Sequence, residues 1–150
     1  MKFLSALIVS FLFQANLMAH EISVIGPCSE KPLFSAEVAD KFETVGDLTI
    51  HTFNKNGIPY LGNERGINVI FDSPIGDAAL EVISDTEMRA YGWCFFVNGE
   101  VSMEYGDETY LNPGDKVEWI YSYALYSKGE WKSMCNPSYK IKSEFICKTK

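Results

Sequence analysis

The chain has little positive charge, little histidine and no long apolar run beyond its first residues. Thirteen Lys and Arg stand against 20 Asp and Glu, a formal net charge of −7 over 150 residues. Phosphate backbones are held by clustered Lys and Arg, so nucleic acid is excluded as a partner. Adhesion to anionic membranes is disfavoured on the same ground. Only two histidines are present, His20 and His51, and no serine sits in a Gly-x-Ser-x-Gly turn. Nucleophile–base catalysis therefore has almost no residues to be built from. Gly62-x-x-x-Gly66 lacks the Lys-Ser/Thr of a phosphate loop and reads as a turn. The carboxylates fall in turns (Asp72, Asp77, Asp107, Asp115) or alternate outward on a strand (Glu118), as solvated charges do. The expectation is a protein that is not an enzyme and needs no cofactor.

The one apolar run lies at the start. Met1-Lys2 supplies a positive charge, Phe3 to Phe13 is almost wholly apolar, and Gln14 to Asn16 breaks the run before Leu17-Met18-Ala19. This is the layout of a secretory signal peptide, with cleavage after Ala19. The run is about half of the ~20 residues that span a bilayer, so no membrane span is expected after cleavage. Residues 1–19 are assigned to the signal and 20–150 to one periplasmic or secreted domain. The mature chain of 131 residues loses only Lys2, which takes the net charge to −8, and is long enough to enclose a core.

All four cysteines, Cys28, Cys94, Cys135 and Cys147, lie in the mature chain. An even count in an exported protein points to two disulfides, with three connectivities open. The absence of a Cys-x-x-Cys pair and the shortage of histidine argue against zinc.

Periodicity predicts strands at Ile22–Ile25 and Leu33–Val38, and another over Ile67–Phe71. Thr44 to Gly57 is even between helix and strand by local signals. Thr49, Ile50, Thr52 and Phe53 favour a strand, whereas Thr44-Val45-Gly46-Asp47 has capping-box spacing and Gly57 fits a helix end. Ser73-Pro74 reads as a helix entry leading into a short helix through Ala78, Leu80 and Ile83. Ser84-Asp85-Thr86-Glu87 reads as a second capping box. Trp93 to Val97 is a strand closed by Asn98-Gly99, a strong hairpin signal, with Val101 to Tyr105 as the return. Asn112-Pro113-Gly114-Asp115 is a tight turn before the alternating strand Lys116 to Tyr123. Tyr139 to Cys147 reads as the last strand. The sum is a mixed α+β domain.

Tyr91-Gly92-Trp93-Cys94-Phe95-Phe96-Val97-Asn98-Gly99, followed by Asn112-Pro113-Gly114-Asp115-Lys116-Val117-Glu118-Trp119-Ile120-Tyr121, resembles the transcobalamin-like C-terminal domain family. Thr44 to Leu48, Ile58 to Gly62 and Gly66 to Asn68 extend the resemblance, which covers about residues 22 to 125. It implies a β-grasp-like mixed sheet packed on one main helix, and tips Thr44 to Asn56 towards helix. The C-terminal extension, 126–150, lies outside it and is expected to be held by disulfides. Transcobalamins use such a domain on one side of a cobalamin. The second, helical half of those carriers is absent here, so a cobalamin-like ligand is not carried over.

Two groups of residues offer function. Tyr91, Trp93, Trp119, Tyr121, Tyr123 and Trp131 crowd the two hairpins, and Trp119, Tyr121 and Tyr123 share one face of a strand. They are either core or a rigid amphipathic surface for a small ligand or protein partner. Cleavage after Ala19 would leave His20 as the first residue, whose amine and imidazole chelate copper, with His51 as the one further histidine. A non-enzymatic exported binding module using the aromatic surface is the expectation. A copper-binding protein and a structural accessory protein of the envelope are the alternatives.

Overall fold

The computed structural model describes residues 19–147. The expected signal peptide lies, except for Ala19, outside the described residues. In chain order the elements are β1 (His20–Ile25), β2 (Phe34–Val38), α1 (Val45–Asn56), β3 (Tyr60–Asn63), β4 (Gly66–Ile70), β5 (Leu80–Ser84), β6 (Glu87–Val97), β7 (Glu100–Val101), β8 (Lys116–Ser127) and β9 (Glu130–Pro137). Short 3-10 turns occupy Gly76–Ala79 and Ser138–Lys140. The main sheet runs β2-β1-β8-β6-β5, with β7 added on β6 and β9 on β8, while β3 and β4 form a separate hairpin. β1 and β8 are parallel and the other pairs antiparallel, so the sheet is mixed. This is the expected α+β arrangement of a mixed sheet clasping one main helix.

The ambiguous segment is a helix because both of its ends are chemically closed. Thr44 caps the N-terminus, its Oγ1 accepting from Asp47 N at 3.1 Å, and Gly57 ends the helix in the left-handed region at φ 65°. Val45, Leu48, Thr49, Thr52 and Phe53 then form one buried stripe at helical spacing. They pack on Ile22 and Val24 of β1, Phe95 of β6, and Val117 and Trp119 of β8. Trp119 Nε1 donates to Thr49 Oγ1 at 2.9 Å, a buried bond joining sheet to helix.

The two signature turns lock each other. Asn98 and Gly99 both take positive φ, as a two-residue hairpin turn demands. Asn98 Nδ2 donates to Asp115 Oδ1 at 2.8 Å, Lys116 N donates to Asn98 Oδ1 at 3.0 Å, and Asn112 N donates to Asp115 Oδ2 at 2.7 Å. Burial alone would raise the Asp115 carboxyl. The hydrogen bonds from Asn98 and Asn112 outweigh it and hold the group below its ordinary value. The Val-Asn-Gly and Gly-Asp elements are thus one structural clasp, not two sites.

Three sequence expectations are corrected. Leu80 to Ser84 is a strand rather than a helix, because Glu81 there reaches the partner strand: Arg89 Nη1 donates to Glu81 Oε2 at 3.0 Å and Tyr91 OH donates at 2.6 Å. Cross-strand partners override local helix signals. Ser84 to Glu87 is the hairpin turn between β5 and β6, with Ser84 Oγ accepting from Thr86 N, so the serine caps a turn and not a helix. Tyr139 to Cys147 is not a strand. Ser138 Oγ donates to Tyr121 O at 2.6 Å, and Lys142 takes φ 47°, which turns the chain. The strand in this region is β9, whose sequence has no clean alternation and which the 12-residue β8 recruits by pairing.

The cysteines pair as Cys28–Cys147 and Cys94–Cys135. The first ties the segment after β1 to the C-terminal extension, and the second ties β6 to β9. No helix among the described residues is long and apolar enough to cross a membrane.

Candidate functional site

The six aromatics do not form one surface. Trp119 is 2% exposed and Tyr121 fully buried, and Tyr91 is buried beside them. The shared face foreseen for Trp119, Tyr121 and Tyr123 is real, but α1 and the segment after β4 cover most of it. Tyr121 OH donates to Pro74 O at 3.2 Å, and burial with Tyr91 nearby pushes its hydroxyl up to about 12. Tyr91 and Tyr121 stack at 6.1 Å between ring centroids, and Trp93 meets Tyr121 edge-on at 5.1 Å. Tyr123 and Trp93 are half-buried. Trp131 is 51% exposed and packs on Tyr126 near the β8–β9 turn. The accessible-surface reading is therefore corrected for Tyr91, Trp119 and Tyr121, whose strand face is core.

Trp93 is where the interior opens. Its Nε1 donates to Ser73 Oγ at 2.8 Å, which fixes the indole, and the residue also borders a cleft of about 420 Å³. The walls are Trp93, Cys94 and Phe95 of β6 on one side and Gly66, Ile67 and Asn68 of β4 on the other. Trp119 lies in the floor, and Asn63, Arg65, Ser102 and Tyr105 complete the rim. Polar and apolar groups share the lining about equally, and the volume falls in the range of about 300–1,000 Å³ usual for ligand pockets. The Cys94–Cys135 bridge borders the same cleft.

Close backbone packing holds the far wall. Gly46 N donates to Gly106 O at 2.9 Å and Gly106 N to Arg65 O at 2.9 Å. A Cβ on Gly46 would run into the carbonyl of Glu64, and one on Gly106 would lie 2.6 Å from the same oxygen. Only glycines let the helix start, the β3–β4 turn and the loop after β7 meet this closely. The Arg65 guanidinium lies 3.9 Å over the Tyr105 ring, with Asp107 and Glu108 at 3.5 and 3.6 Å from its Nη1.

A larger cleft, about 460 Å³, lies by β1 and the C-terminal extension. Its Lys116 is already paired with Glu21 and Glu118 at 3.6 and 3.3 Å. A third, about 310 Å³, shares Trp93 and Tyr121 with Phe145 and Ile146 of the extension.

The histidines stand apart in their partners. His20 is 4% exposed in β1 beside Val38, and its Nδ1 has no hydrogen-bond partner. His51 is exposed on α1, 3.8 Å from Asp40 and tilted against the Phe42 ring at 4.9 Å between centroids. Among the described residues no three of His, Cys, Asp and Glu gather so as to hold a metal ion. The sequence-level pairing of His20 with His51 is not assembled into such a group.

A domain family of unknown function, DUF4430, matches residues 43–123. The chain belongs to the DUF4430 family. The DUF4430 segment begins just before Thr44 and ends at Tyr123, so it supplies α1, both walls of the cleft at Trp93 and the Asn98–Asp115 clasp. β1, β2, β9 and the C-terminal extension lie outside it. The solved structure of a protein from Ruminococcus gnavus ATCC 29149, provisionally named as metal-binding, is similar at 17% identity with a TM-score of 0.48, over 69% of this chain and 95% of that one. No curated protein matches the chain.

The cleft residues Asn63, Arg65, Asn68 and Ser102 were not found from sequence. They are ordinary polar residues of turns and edges, and no spacing rule marks them before the fold sets them round Trp93.

Proposed function

We propose that this DUF4430 protein is a non-catalytic, exported binding module whose site is the cleft at Trp93. The carrying observation is that cleft itself: about 420 Å³, walled by two strand edges, with an apolar floor and an amide-and-hydroxyl rim. Of the six aromatics singled out by sequence, Trp93 and Trp119 line it, the first as an accessible wall and the second as a rigid floor. The resemblance of the Trp93 to Gly99 element to transcobalamin-like β-grasp domains supports a ligand-holding role. Two disulfides and the apolar leader support export to an oxidising compartment. The absence of a catalytic role rests on chemistry: the internal histidine, His51, is exposed beside Asp40 rather than set against a nucleophile.

Native mass spectrometry of the exported protein tests this. A retained small adduct is expected, and Asn68→Arg, which fills the cleft from an exposed position, should lose it. A wild-type protein with no adduct, whose Trp93 indole signal also stays fixed throughout a fragment screen by NMR, would refute the assignment.

A second reading rests on one atom. His20 Nδ1 is buried without a partner, and after cleavage behind Ala19 it would share a six-membered chelate with the new α-amine. Cu(II) should then raise the melting temperature only when His20 is the free terminus. Equal stabilisation with one residue added ahead of it would end that reading.

A further inference from the structure

The central stretch of β6 has a strand on one side only. β5 pairs with β6 no further than Ala90, and β7 begins its pairing at Phe96. Between them, Tyr91 to Phe95 is paired with β8 alone. The direction of the free groups follows from one bond: Ser102 N donates to Phe95 O at 3.2 Å, so the Phe95 carbonyl points away from β8. Backbone groups of alternate strand residues point the same way. The N–H and C=O of Trp93 and the N–H of Phe95 therefore face outward, on the side of the strand where the cleft lies. The opposite wall, β4, is likewise paired only with β3, and Asn68 is the extra residue of a bulge there.

We infer that the cleft takes an extended, non-acidic peptide segment of a partner protein, added as a strand along the Tyr91–Phe95 edge of β6. This rests on the cleft assignment above and names its ligand class. Open main-chain donors and acceptors in strand geometry are matched by another strand and by few other ligands. The gap of five residues spans about 17 Å along the strand at strand rise, which sets the length of segment that could pair with it. Charge selects the occupant further. The cleft is lined by one charged side chain, Arg65, whose charge Asp107 and Glu108 more than balance, so no free cation is left to hold an acidic peptide. The net charge of −7 repels acidic chains from the whole surface. The indole of Trp93 and the ring of Tyr105 offer apolar contact for alternate side chains of the incoming strand.

The test pans randomised heptapeptides displayed on phage against the full exported protein, then resynthesises the selected peptides. Selected peptides are expected to slow amide exchange at Trp93 and Phe95 at least tenfold. N-methylating one set of alternate peptide amides should weaken binding at least tenfold, and methylating the other set should be tolerated. Selection of no peptide, equal tolerance of both methylated sets, or protection falling on β5 or β9 would each overturn the inference. So would a dimer in native mass spectra that protects Trp93, which makes the occupant a second copy. The cleft assignment is judged separately by the fragment screen: fragments that move the Trp93 indole signal and are lost in Asn68→Arg, with no peptide selected, leave the cleft standing and remove the peptide.

Discussion

Substituting Gly46 by alanine puts the packing of the cleft wall to a signed test. In an ordinary helix Gly→Ala stabilises by about 1 kcal/mol. Gly46 is the second residue of α1 and is not in a left-handed conformation, so the same gain applies here. Against it, the new Cβ would collide with the Glu64 carbonyl oxygen and lie 2.9 Å from its carbon and 3.0 Å from its Cα. All three are backbone atoms, and no rotamer change relieves them. Overpacking of this kind costs about 1–3 kcal/mol. Displacing the wall also strains the Gly46 N to Gly106 O bond, about 1 kcal/mol more. The net expectation is a loss of about 1–3 kcal/mol, or about 4–12 °C in melting temperature for a domain this size. Gly92→Ala in β6 is the control: a Cβ there meets nothing within 4 Å, so a strand glycine is replaced with a gain of about 0.5–1 kcal/mol. Thermal melts followed by circular dichroism measure both. A Gly46→Ala protein as stable as the wild type would refute the close approach of hairpin and helix, and with it the wall of the cleft.

Other consequences can be measured in the same way. Burial would raise the Glu81 carboxyl, but hydrogen bonds from Ser143, Tyr91 and Arg89 outweigh it and hold the group below 4.5. A depressed folded value gives stability that is present above the unfolded value and lost as pH falls through the folded one. The gap in urea midpoint between wild type and Glu81→Gln should therefore narrow from pH 7 to pH 3, and a constant gap would contradict it. The Cys28–Cys147 bridge closes a separation of 119 residues and Cys94–Cys135 one of 41. Loop entropy assigns them about 5 and about 4 kcal/mol as upper values, so the double serine variant of the first pair should show the lower urea midpoint. Trp119→Phe leaves Thr49 Oγ1 buried without its donor and should cost about 1–3 kcal/mol, with Thr49→Val recovering part of it in a double-mutant cycle.

Local chemistry was legible where a residue's role is closed within a few neighbours. The Thr44 cap, the Gly57 end and the Asn98-Gly99 turn need only their own dihedrals and one nearby donor or acceptor. The alternation of Lys116 to Tyr123 marked β8 correctly but left the fate of each face undecided, because alternation says which residues share a face and not what covers it. Leu80 to Ser84 misled for the opposite reason. Its helix signals were genuine, and the Glu81 interactions with Arg89 and Tyr91 that outbid them come from the next strand.

By itself, then, the sequence determined an acidic chain, an even set of cysteines suited to pairing and the two tight turns at Asn98-Gly99 and Asn112-Asp115, since these follow from composition and from contacts between near neighbours. The helix over Thr44 to Asn56 was tipped only by the family resemblance. Only the tertiary structure decided which cysteines join, that Trp119 and Tyr121 are core, and that Trp93 stands at an open strand edge facing Asn68. Those depend on residues far apart in the chain being brought within ångströms, and on which strand edges are left without a partner when the sheet is complete.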